Sequence, residues 1–286
     1  MHINREILKG YLLEDTGKGD ITSDVIIPDT ESYAEIFAKD NGIICGLEEA
    51  AFIFGYAGTA AVLTASDGER VSAGKKLMEI RGKAKAILLA ERTALNIIGR
   101  MSGIATKTDI ITRKARSVNP RIRIAGTRKT SPGARAIDKK AILVGGGDPH
   151  RYDLSDAFLI KDNHLAVCPA EEAIKKAKAY SAYKKVEIEA ESPADALAVA
   201  KAGADIIMLD NMEPSAVSET LKLITDAGLR EKVYIEISGG VDGKNFEAYA
   251  ALDIDIISMG ALTHSVKNFD VSLDMKPGVK NFTVKI

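Results

Sequence analysis

The sequence predicts an α/β protein, with an N-terminal α/β sandwich domain followed by an open, incomplete parallel α/β barrel. Three observations lead to this prediction. Runs of β-branched and apolar residues recur through the second half of the chain, and each ends in polar residues or glycine. Segments with helix-start and helix-stop signals separate those runs. The first hundred residues instead alternate in polarity and carry D-G and A-G turns, which indicates a separate domain.

Within the first domain, YAEIFAK at residues 33–39 alternates like a half-exposed strand. LEEAAFIFGYAG at residues 47–58 is typical of a short amphipathic helix. Residues 60–82 combine strand and turn signals and resemble half of a lipoyl- or biotin-carrier sandwich. The Met-Lys site that such carriers modify is missing, so this likeness extends to architecture only.

The domain boundary is predicted just after a long helix that begins at residue 84. The first domain is therefore assigned residues 1–108, and the barrel is assigned residues 109–265. The tail, residues 266–286, alternates in polarity again. We expect it to return to the first domain as an added strand.

Six strands are predicted in the barrel, with polar ends at residues 129, 163, 189, 210, 239 and 260. Their spacing is the length of one βα unit. One intervening helix shows the expected punctuation, with Ser192 as N-cap, Pro193 at the first position and Gly203 as stop. Strands this apolar on both faces favour a parallel sheet covered by helices. Six strands are fewer than the eight of a closed barrel, so an open barrel is expected.

The composition excludes several classes of protein. The 286 residues carry a formal net charge of −1, so no global basic field attracts nucleic acid or anionic lipid. No apolar run is long enough to span a bilayer. The two cysteines, Cys45 and Cys168, lack the spacing of a redox or zinc motif. A cytoplasmic protein with small-molecule partners, and without nucleic acid or membrane, is therefore expected.

Charged and polar residues collect where the predicted strands end. The carboxyl ends of parallel barrel strands share one mouth, so these side chains should meet there. An exposed turn explains each residue taken alone, but independent surface residues would not all fall at the same end of every strand. The set comprises Arg128, Lys129, His150, Arg151, Lys161, Asp162, Asn163, Glu189, Asp210, Asn211, Ser238, Gly239, Gly240, Gly260 and His264.

The charges of this set indicate the chemistry of a substrate. Arginine grips carboxylates or phosphates through two hydrogen bonds, and lysine supplies a point charge, so the cations of the early strands suit a polyanion. Glu189 and Asp210, one strand apart, suit Mg²⁺ or Mn²⁺. Taken alone, Glu189 could equally be an exposed residue of an alternating strand, and so could Glu187 and Glu191. The glycine-rich turns of the last strands offer backbone N–H groups to a phosphate.

The histidines near the mouth lack zinc-binding spacing. His150 and His264 are therefore predicted to donate hydrogen bonds to anions, and His164 is interpreted as structural. Arg135, which follows the Pro-Gly turn after the first strand, is also interpreted as structural.

Several motifs resemble the quinolinate phosphoribosyltransferase family, and they occur in the order found there: TRKTSPGAR, GGGDPHRYDL, LIKDNH, IMLDN, EISGGV and MGALTHS. EDTGKGDITSD and AERTALNIIGRMSGIAT also resemble it, so the likeness covers nearly the whole chain. The resemblance implies an N-terminal sandwich, an open barrel and a homodimer, or a higher even oligomer, with shared active sites. It implies transfer of phosphoribosyl from phosphoribosyl pyrophosphate to quinolinate with Mg²⁺, giving nicotinate mononucleotide, pyrophosphate and carbon dioxide.

The resemblance also implies a role for each matching residue. The two quinolinate carboxylates would be held by Arg128, His150, Arg151 and Lys161, with Arg92 from the partner subunit. The expected catalytic residues are Lys129, beside the pyrophosphate, and Glu189 and Asp210, beside the metal and the ribose hydroxyls. The phosphate end would be bound by Ser238, Gly239, Gly240, Gly260 and His264.

Three alternatives stay open at this point. A sister phosphoribosyltransferase could act on nicotinate or another base, but it would not need so many cations. An aldolase could use Lys161 as a Schiff-base lysine at a strand end. A catalytically silent phosphosugar-binding protein could keep the barrel without the chemistry, although it would have no need of the metal pair.

Overall fold

The structure, a computed structural model, describes residue 1 and residues 3–276 of the chain. The chain divides into two compact units. The first comprises Met1–Asp109, Ser131–Gly146 and the chain from Val266 onward, and the second comprises Ile110–Thr130 and Gly147–Ser265. No helix within the described residues is both long enough and apolar enough to cross a membrane.

The strands of the described residues are β1 (Glu31–Ala38), β2 (Gly42–Ile43), β3 (Ala60–Leu63), β4 (Arg70–Val71), β5 (Lys76–Lys83), β6 (Arg123–Ala125), β7 (Phe158–Ile160), β8 (Val186–Ala190), β9 (Ile206–Asp210), β10 (Tyr234–Ser238), β11 (Ile256–Ser258) and β12 (Val271–Lys276). The α-helices are α1 (Arg5–Thr16), α2 (Ile21–Ile26), α3 (Leu47–Tyr56), α4 (Ala84–Val118), α5 (Arg135–Val144), α6 (Asp162–Leu165), α7 (Ala170–Tyr180), α8 (Pro193–Lys201), α9 (Pro214–Asp226) and α10 (Phe246–Ala250). Single turns of 3-10 helix lie at Arg230–Lys232 and Gly260–Leu262.

The first unit contains an antiparallel sheet with the order β12-β1-β5-β3, together with the small pair β2-β4. The alternating sequence of β1 predicts a half-exposed strand, yet Tyr33, Glu35 and Ile36 are all buried. Glu35 is tolerated there because it accepts hydrogen bonds from the Tyr33 hydroxyl at 2.6 Å and from Lys76 at 3.3 Å. This part of the sequence pattern therefore predicts the strand correctly and its burial wrongly.

The chain that follows the barrel strands pairs with the first-unit sheet. β12 lies antiparallel to β1, with Val271 opposite Ala38 and Lys276 opposite Tyr33. Gly103 of α4 permits this return, because a Cβ at that position would overlap the carbonyl oxygen of Lys267. Residues 277–286 of the predicted tail lie outside the described residues.

The observed units differ from the predicted division at residues 131–146, which the sequence pattern assigned to the barrel. This segment carries α5, which begins at Arg135, and it belongs to the first unit. Its charged residues find their partners there. Asp138 accepts two hydrogen bonds from Arg100, at 2.7 and 2.9 Å, and Lys140 lies 2.8 Å from Glu49.

The second unit is an open parallel barrel. Within the described residues, its six strands follow the order β6-β11-β10-β9-β8-β7, and every neighbouring pair is parallel. β6 and β7 are the two edges of this sheet. The predicted helix punctuation is confirmed, since the Ser192 hydroxyl accepts from the Asp195 N–H at 3.2 Å and Gly203 has a φ of 90°. The fold class predicted from the sequence is thus confirmed.

Candidate active site

One pocket of about 520 Å³ lies among the carboxyl ends of the barrel strands and the loops that follow them. Its volume is in the range of small-molecule sites. Five of its side chains are cationic and three are acidic. The lining residues are Thr127, Arg128, Lys129, His150, Arg151, Leu159, Lys161, Asp162, Glu189, Met208, Asp210, Asn211, Ser238, Gly239, Gly240 and Ser258.

Strand alternation explains which residues reach the pocket. Side chains of a strand point to opposite faces in turn, so residues two apart share a face. Met208 and Asp210 of β9 obey this rule, and Glu189, Ser238 and Ser258 occupy the matching positions of β8, β10 and β11. The residue directly before each of Glu189, Asp210, Ser238 and Ser258 points to the other face and is a buried apolar side chain. These residues are Ile188, Leu209, Ile237 and Ile257.

Arg128 and Arg151 form the most confined part of the cationic group. The Nε atom of Arg128 is buried and makes no hydrogen bond within the described part of the chain. Burial, together with the neighbouring charge of Arg128, lowers the pKa of Arg151. The charges of the two guanidinium groups repel each other, so an anion bound by both would be stabilised.

Lys161 and Glu189 form an ion pair across β7 and β8. The other oxygen of Glu189 accepts from the backbone N–H of Asp162 at 3.3 Å. His164 supports the same turn, since its Nδ1 accepts from the backbone N–H of Lys161 at 2.9 Å and caps α6. This contact gives His164 a structural role. Asn163 is exposed on α6 and is not among the lining residues.

Asp210 is oriented by its neighbour. The Asn211 side chain donates from Nδ2 to Oδ2 of Asp210 at 2.7 Å, while its backbone adopts a φ of 53°. Gly239 lies directly against Asn211, because a Cβ there would be 2.7 Å from the Asn211 backbone nitrogen. Gly239 also has a positive φ of 84°, so glycine is required at this turn on two grounds.

Gly260, Lys129 and His264 meet at the end of β11. A Cβ on Gly260 would lie 3.0 Å from both the Lys129 Cδ and the His264 Cδ2, so glycine leaves room for the two side chains. The Thr263 hydroxyl donates to the carbonyl oxygen of Lys129 at 2.8 Å and fixes its backbone. Lys129 lines the pocket, whereas Gly260 and His264 lie next to it rather than among the lining residues.

The sequence pattern missed two carboxylates, Glu187 and Glu236. They are only 3% and 1% exposed, and they lie 3.4 and 3.6 Å from Nε2 of His150. Burial alone would lower the pKa of His150, but the two carboxylates outweigh that effect and raise it to about 10. Nε2 therefore faces the glutamates, and Nδ1 is buried, whereas the predicted contact of His150 with a substrate carboxylate stays a prediction.

A signal for these glutamates is present in the sequence. Glu236 is the one charged residue in the apolar run VYIEIS, two positions before Ser238 and so on the same face. Glu187 stands in the same relation to Glu189. A charge in the middle of a parallel strand, at a position that shares its face with pocket residues, predicts a buried functional group.

Arg92 lies elsewhere in the chain. It is exposed on α4, within the first unit, whereas every residue that lines the pocket belongs to the second unit. Its predicted action on a partner subunit's site therefore stays a prediction.

The fold and the pocket together define an open α/β-barrel protein with a cationic site at the strand ends. A family model for the N-terminal domain of quinolinate phosphoribosyl transferase matches residues 20–102, and a model for the C-terminal domain matches residues 104–274. The chain belongs to the quinolinate phosphoribosyltransferase family, and the predicted family is confirmed.

Relatives and solved structures agree with this assignment. The probable nicotinate-nucleotide pyrophosphorylase (carboxylating) of Methanothermobacter thermautotrophicus is 40% identical, over 95% of this chain and 98% of that protein. The corresponding protein of Archaeoglobus fulgidus is 45% identical, over 89% of this chain and 97% of its own. The structure of the nicotinate-nucleotide pyrophosphorylase from Francisella tularensis has a TM-score of 0.89 at 32% identity, and the match covers 96% of this chain and 98% of that one.

Proposed function

We propose that this chain is a carboxylating nicotinate-nucleotide pyrophosphorylase, an enzyme of NAD biosynthesis. It transfers phosphoribosyl from phosphoribosyl pyrophosphate to the ring nitrogen of quinolinate, giving nicotinate mononucleotide, pyrophosphate and carbon dioxide. Family membership supports the proposal, since the relatives described above are named for this reaction. The structural observation that carries it is the surplus of cations in the pocket, because both substrates are multiply anionic.

We assign a separate part of the pocket to each end of the two substrates. Arg128, Arg151 and Lys161 bind the two carboxylates of quinolinate, and His150 supports them from behind. Ser238, Gly239 and Gly240, with Gly260 and His264 beside them, bind the phosphate end of the second substrate. Binding energy from these remote groups orients the ring nitrogen toward C1 of the ribose.

The reaction needs no general base, because the attacking pyridine nitrogen carries no proton. The bond from C1 to pyrophosphate breaks ahead of attack and leaves positive charge on the ribose. Lys129 stabilises the departing pyrophosphate, and Glu189 and Asp210 stabilise the ribose charge and bind its hydroxyls. The carboxylate adjacent to the nitrogen is then lost as carbon dioxide. The positive ring nitrogen stabilises the electron pair left on the ring carbon, and a proton from solvent replaces the carboxylate there to give nicotinate mononucleotide.

Mg²⁺, or Mn²⁺, is the proposed metal, and it would neutralise charge on the pyrophosphate. Glu189 and Asp210 fit such an ion, because Mg²⁺ is usually held by one or two carboxylates together with substrate phosphates. The hydrogen bond from Asn211 to one oxygen of Asp210 leaves the other oxygen for the metal. Lys161 has to release Glu189 for this role, and quinolinate supplies the carboxylates that Lys161 would then bind.

The proposal includes a homodimer, or a higher even oligomer, in which Arg92 completes the partner's site. The family likeness and the exposed position of Arg92 support it. Arg92→Ala and Arg151→Ala variants should each be inactive, and mixing them should restore activity. A hybrid dimer holds one site with both changes and one with neither, so each hybrid dimer should reach about half of the normal rate and a random equimolar mixture about a quarter. No recovery in mixtures shown to contain hybrid dimers would contradict this arrangement.

A cytoplasmic location is proposed as well. Cys45 and Cys168 are both free thiols, which suits a reducing compartment. Fluorescence of the tagged chain outside the cytoplasm would contradict it.

The central experiment is an assay with phosphoribosyl pyrophosphate and one pyridine at a time: quinolinate, nicotinate or nicotinamide. We expect turnover with quinolinate only, with one carbon dioxide released per pyrophosphate. Turnover of nicotinate without carbon dioxide would favour the sister phosphoribosyltransferase. The aldolase alternative is disfavoured because Lys161 shares the pocket with Arg128 and Arg151, which Schiff-base chemistry does not require.

A further inference from the structure

A buried ionic group lies inside the barrel, next to the pocket. It consists of His150, from the loop before β7, and of Glu187 and Glu236, from β8 and β10. We call these three residues the interior triad. Both glutamates are almost fully buried, and both oxygens of Glu236 lack a hydrogen bond from any described residue.

A buried ionic group of this kind lowers the stability of the folded protein. A buried carboxylate is costly unless it is paired and hydrogen-bonded, and here two of them share one imidazole. The distances from Nε2, 3.4 and 3.6 Å, are those of an ion pair rather than of a hydrogen bond. A stable core would carry apolar residues at these positions, so the triad calls for a functional explanation.

The backbone of His150 shows what the triad restrains. Its φ is 58°, a conformation that residues other than glycine rarely adopt, and its N–H donates to Asp148 at 2.8 Å. The next residue, Arg151, lines the pocket beside Arg128. The loop therefore holds a strained turn and brings the charge of Arg151 near that of Arg128, and both features need support from the surrounding structure.

We propose that Glu187 and Glu236 are positioning residues for the binding of quinolinate. They clamp the imidazole of His150 from two strands at once, and the clamp fixes the turn that holds Arg151 opposite Arg128. A planar dicarboxylate then meets two guanidinium groups already in place, and no binding energy is lost in ordering them. This inference rests on the proposed function, because it concerns the same pocket and the same substrate.

A divalent metal could be held by the same three side chains. A histidine that binds a metal normally donates its other ring nitrogen to a partner, and Nδ1 of His150 has none among the described residues. The clamp accounts for the triad without a metal. Elemental analysis of the purified protein decides between them: a tightly bound metal that is lost in the Glu236→Gln variant would overturn the clamp.

The test replaces each glutamate by an isosteric neutral group, in Glu187→Gln and Glu236→Gln. We expect each change to raise KM for quinolinate by about 10- to 100-fold, as is typical when a supporting group behind a ligand is lost. KM for phosphoribosyl pyrophosphate should change by less than about two-fold. The matched control is Glu49→Gln, a buried and ion-paired glutamate of the first unit, which should lower thermal stability and leave both KM values unchanged.

A double-mutant cycle separates the clamp from a merely structural role. If Glu236 acts through His150, then Glu236→Gln should add less than about two-fold to KM for quinolinate once His150→Gln is present. Independent, multiplying effects would overturn the proposal. A wild-type chain that fails to turn over quinolinate would instead reject the proposed function. Normal wild-type turnover with an unaltered KM in Glu236→Gln would reject the clamp alone.

Discussion

The two compact units each contain a buried ionic cluster, and the clusters differ in how well their charges are satisfied. In the first unit, Lys140 lies 3.0 Å from Glu48, 2.8 Å from Glu49 and 3.1 Å from Asp67. The ammonium group donates hydrogen bonds to the two glutamates. In the second unit, the interior triad leaves carboxylate oxygens and a ring nitrogen without hydrogen bonds from the described residues.

This difference distinguishes charges that stabilise the fold from charges that maintain a binding site. Burial raises the pKa of Glu49, and the hydrogen bond and charge of Lys140 act in the opposite direction. Such a cluster stabilises one arrangement of α3 and α5. The pocket of the second unit instead keeps the like charges of Arg128 and Arg151 near each other, an arrangement that favours an anionic ligand. Changes in the two units should therefore have opposite signatures, with stability lost in one and turnover lost in the other.

The largest effect is expected for Arg151→Ala, which removes a guanidinium from the pocket and leaves the barrel strands untouched. Turnover with quinolinate should fall by roughly 10³-fold, because a donor aimed at substrate charge is lost. The melting temperature should stay within about 2 °C of wild type. Arg121→Ala is the control, since Arg121 is an exposed arginine of the same unit, and it should change neither quantity. Near-normal turnover in Arg151→Ala would refute the assignment of the pocket.

Asp210→Asn should have the next largest effect. The substitution keeps the shape and removes the charge, so turnover should fall by roughly 10²-fold and the Mg²⁺ concentration for half-maximal rate should rise. Titration of the rate with Mg²⁺, together with binding of Mn²⁺ measured by paramagnetic resonance, checks both points. Asp195→Asn, on the exposed surface of α8, is the matched control. An unchanged metal requirement would remove Asp210 from the proposed metal site.

Lys140→Met should give the opposite signature. It leaves the buried Glu49 and the partly buried Asp67 without their cation, so the free energy of unfolding should fall by about 3–5 kcal/mol. The KM values of the protein that remains folded should not change. Lys176→Met breaks the exposed pair with Glu172 and should change the free energy of unfolding very little. A selective rise in KM for quinolinate in Lys140→Met would break the distinction between the two clusters.

Much of the second unit could be predicted from sequence, because its determinants are local. Apolar runs of strand length, with polar residues at their ends, specify both the parallel sheet and the residues that surround its mouth. Arg128, Lys129, Arg151, Lys161, Glu189 and Asp210 were predicted in this way, and the structure gathers all of them around one pocket. Their individual roles are still predictions.

What the sequence did not reveal depends on contacts between distant residues. The segment that carries α5 joins the first unit through Asp138 and Arg100, which are 38 positions apart, and no local pattern reports such a pair. Glu187 appeared to be one of several equivalent strand glutamates until the partner of its carboxylate, His150, was located. Burial of a charge is a tertiary property, so alternation predicts which face a residue occupies and not what lies against that face.

The smallest expected effect concerns the two cysteines, which allow the two units to be compared because one lies in each. Cys45 is fully buried beside Asp67, one of the acidic residues around Lys140, and burial raises the pKa of its thiol. Cys168 is partly exposed. A disulfide reagent should therefore modify one thiol per folded chain, and Cys168→Ser should abolish that reaction. Cys45 should react only when the first unit opens, so its slow rate measures that opening.

Lys140→Met should accelerate the slow reaction, whereas Arg151→Ala should not. Acceleration by Arg151→Ala would show that the pocket contributes to the stability of the first unit. It would contradict the distinction between charges that stabilise the fold and charges that maintain the binding site.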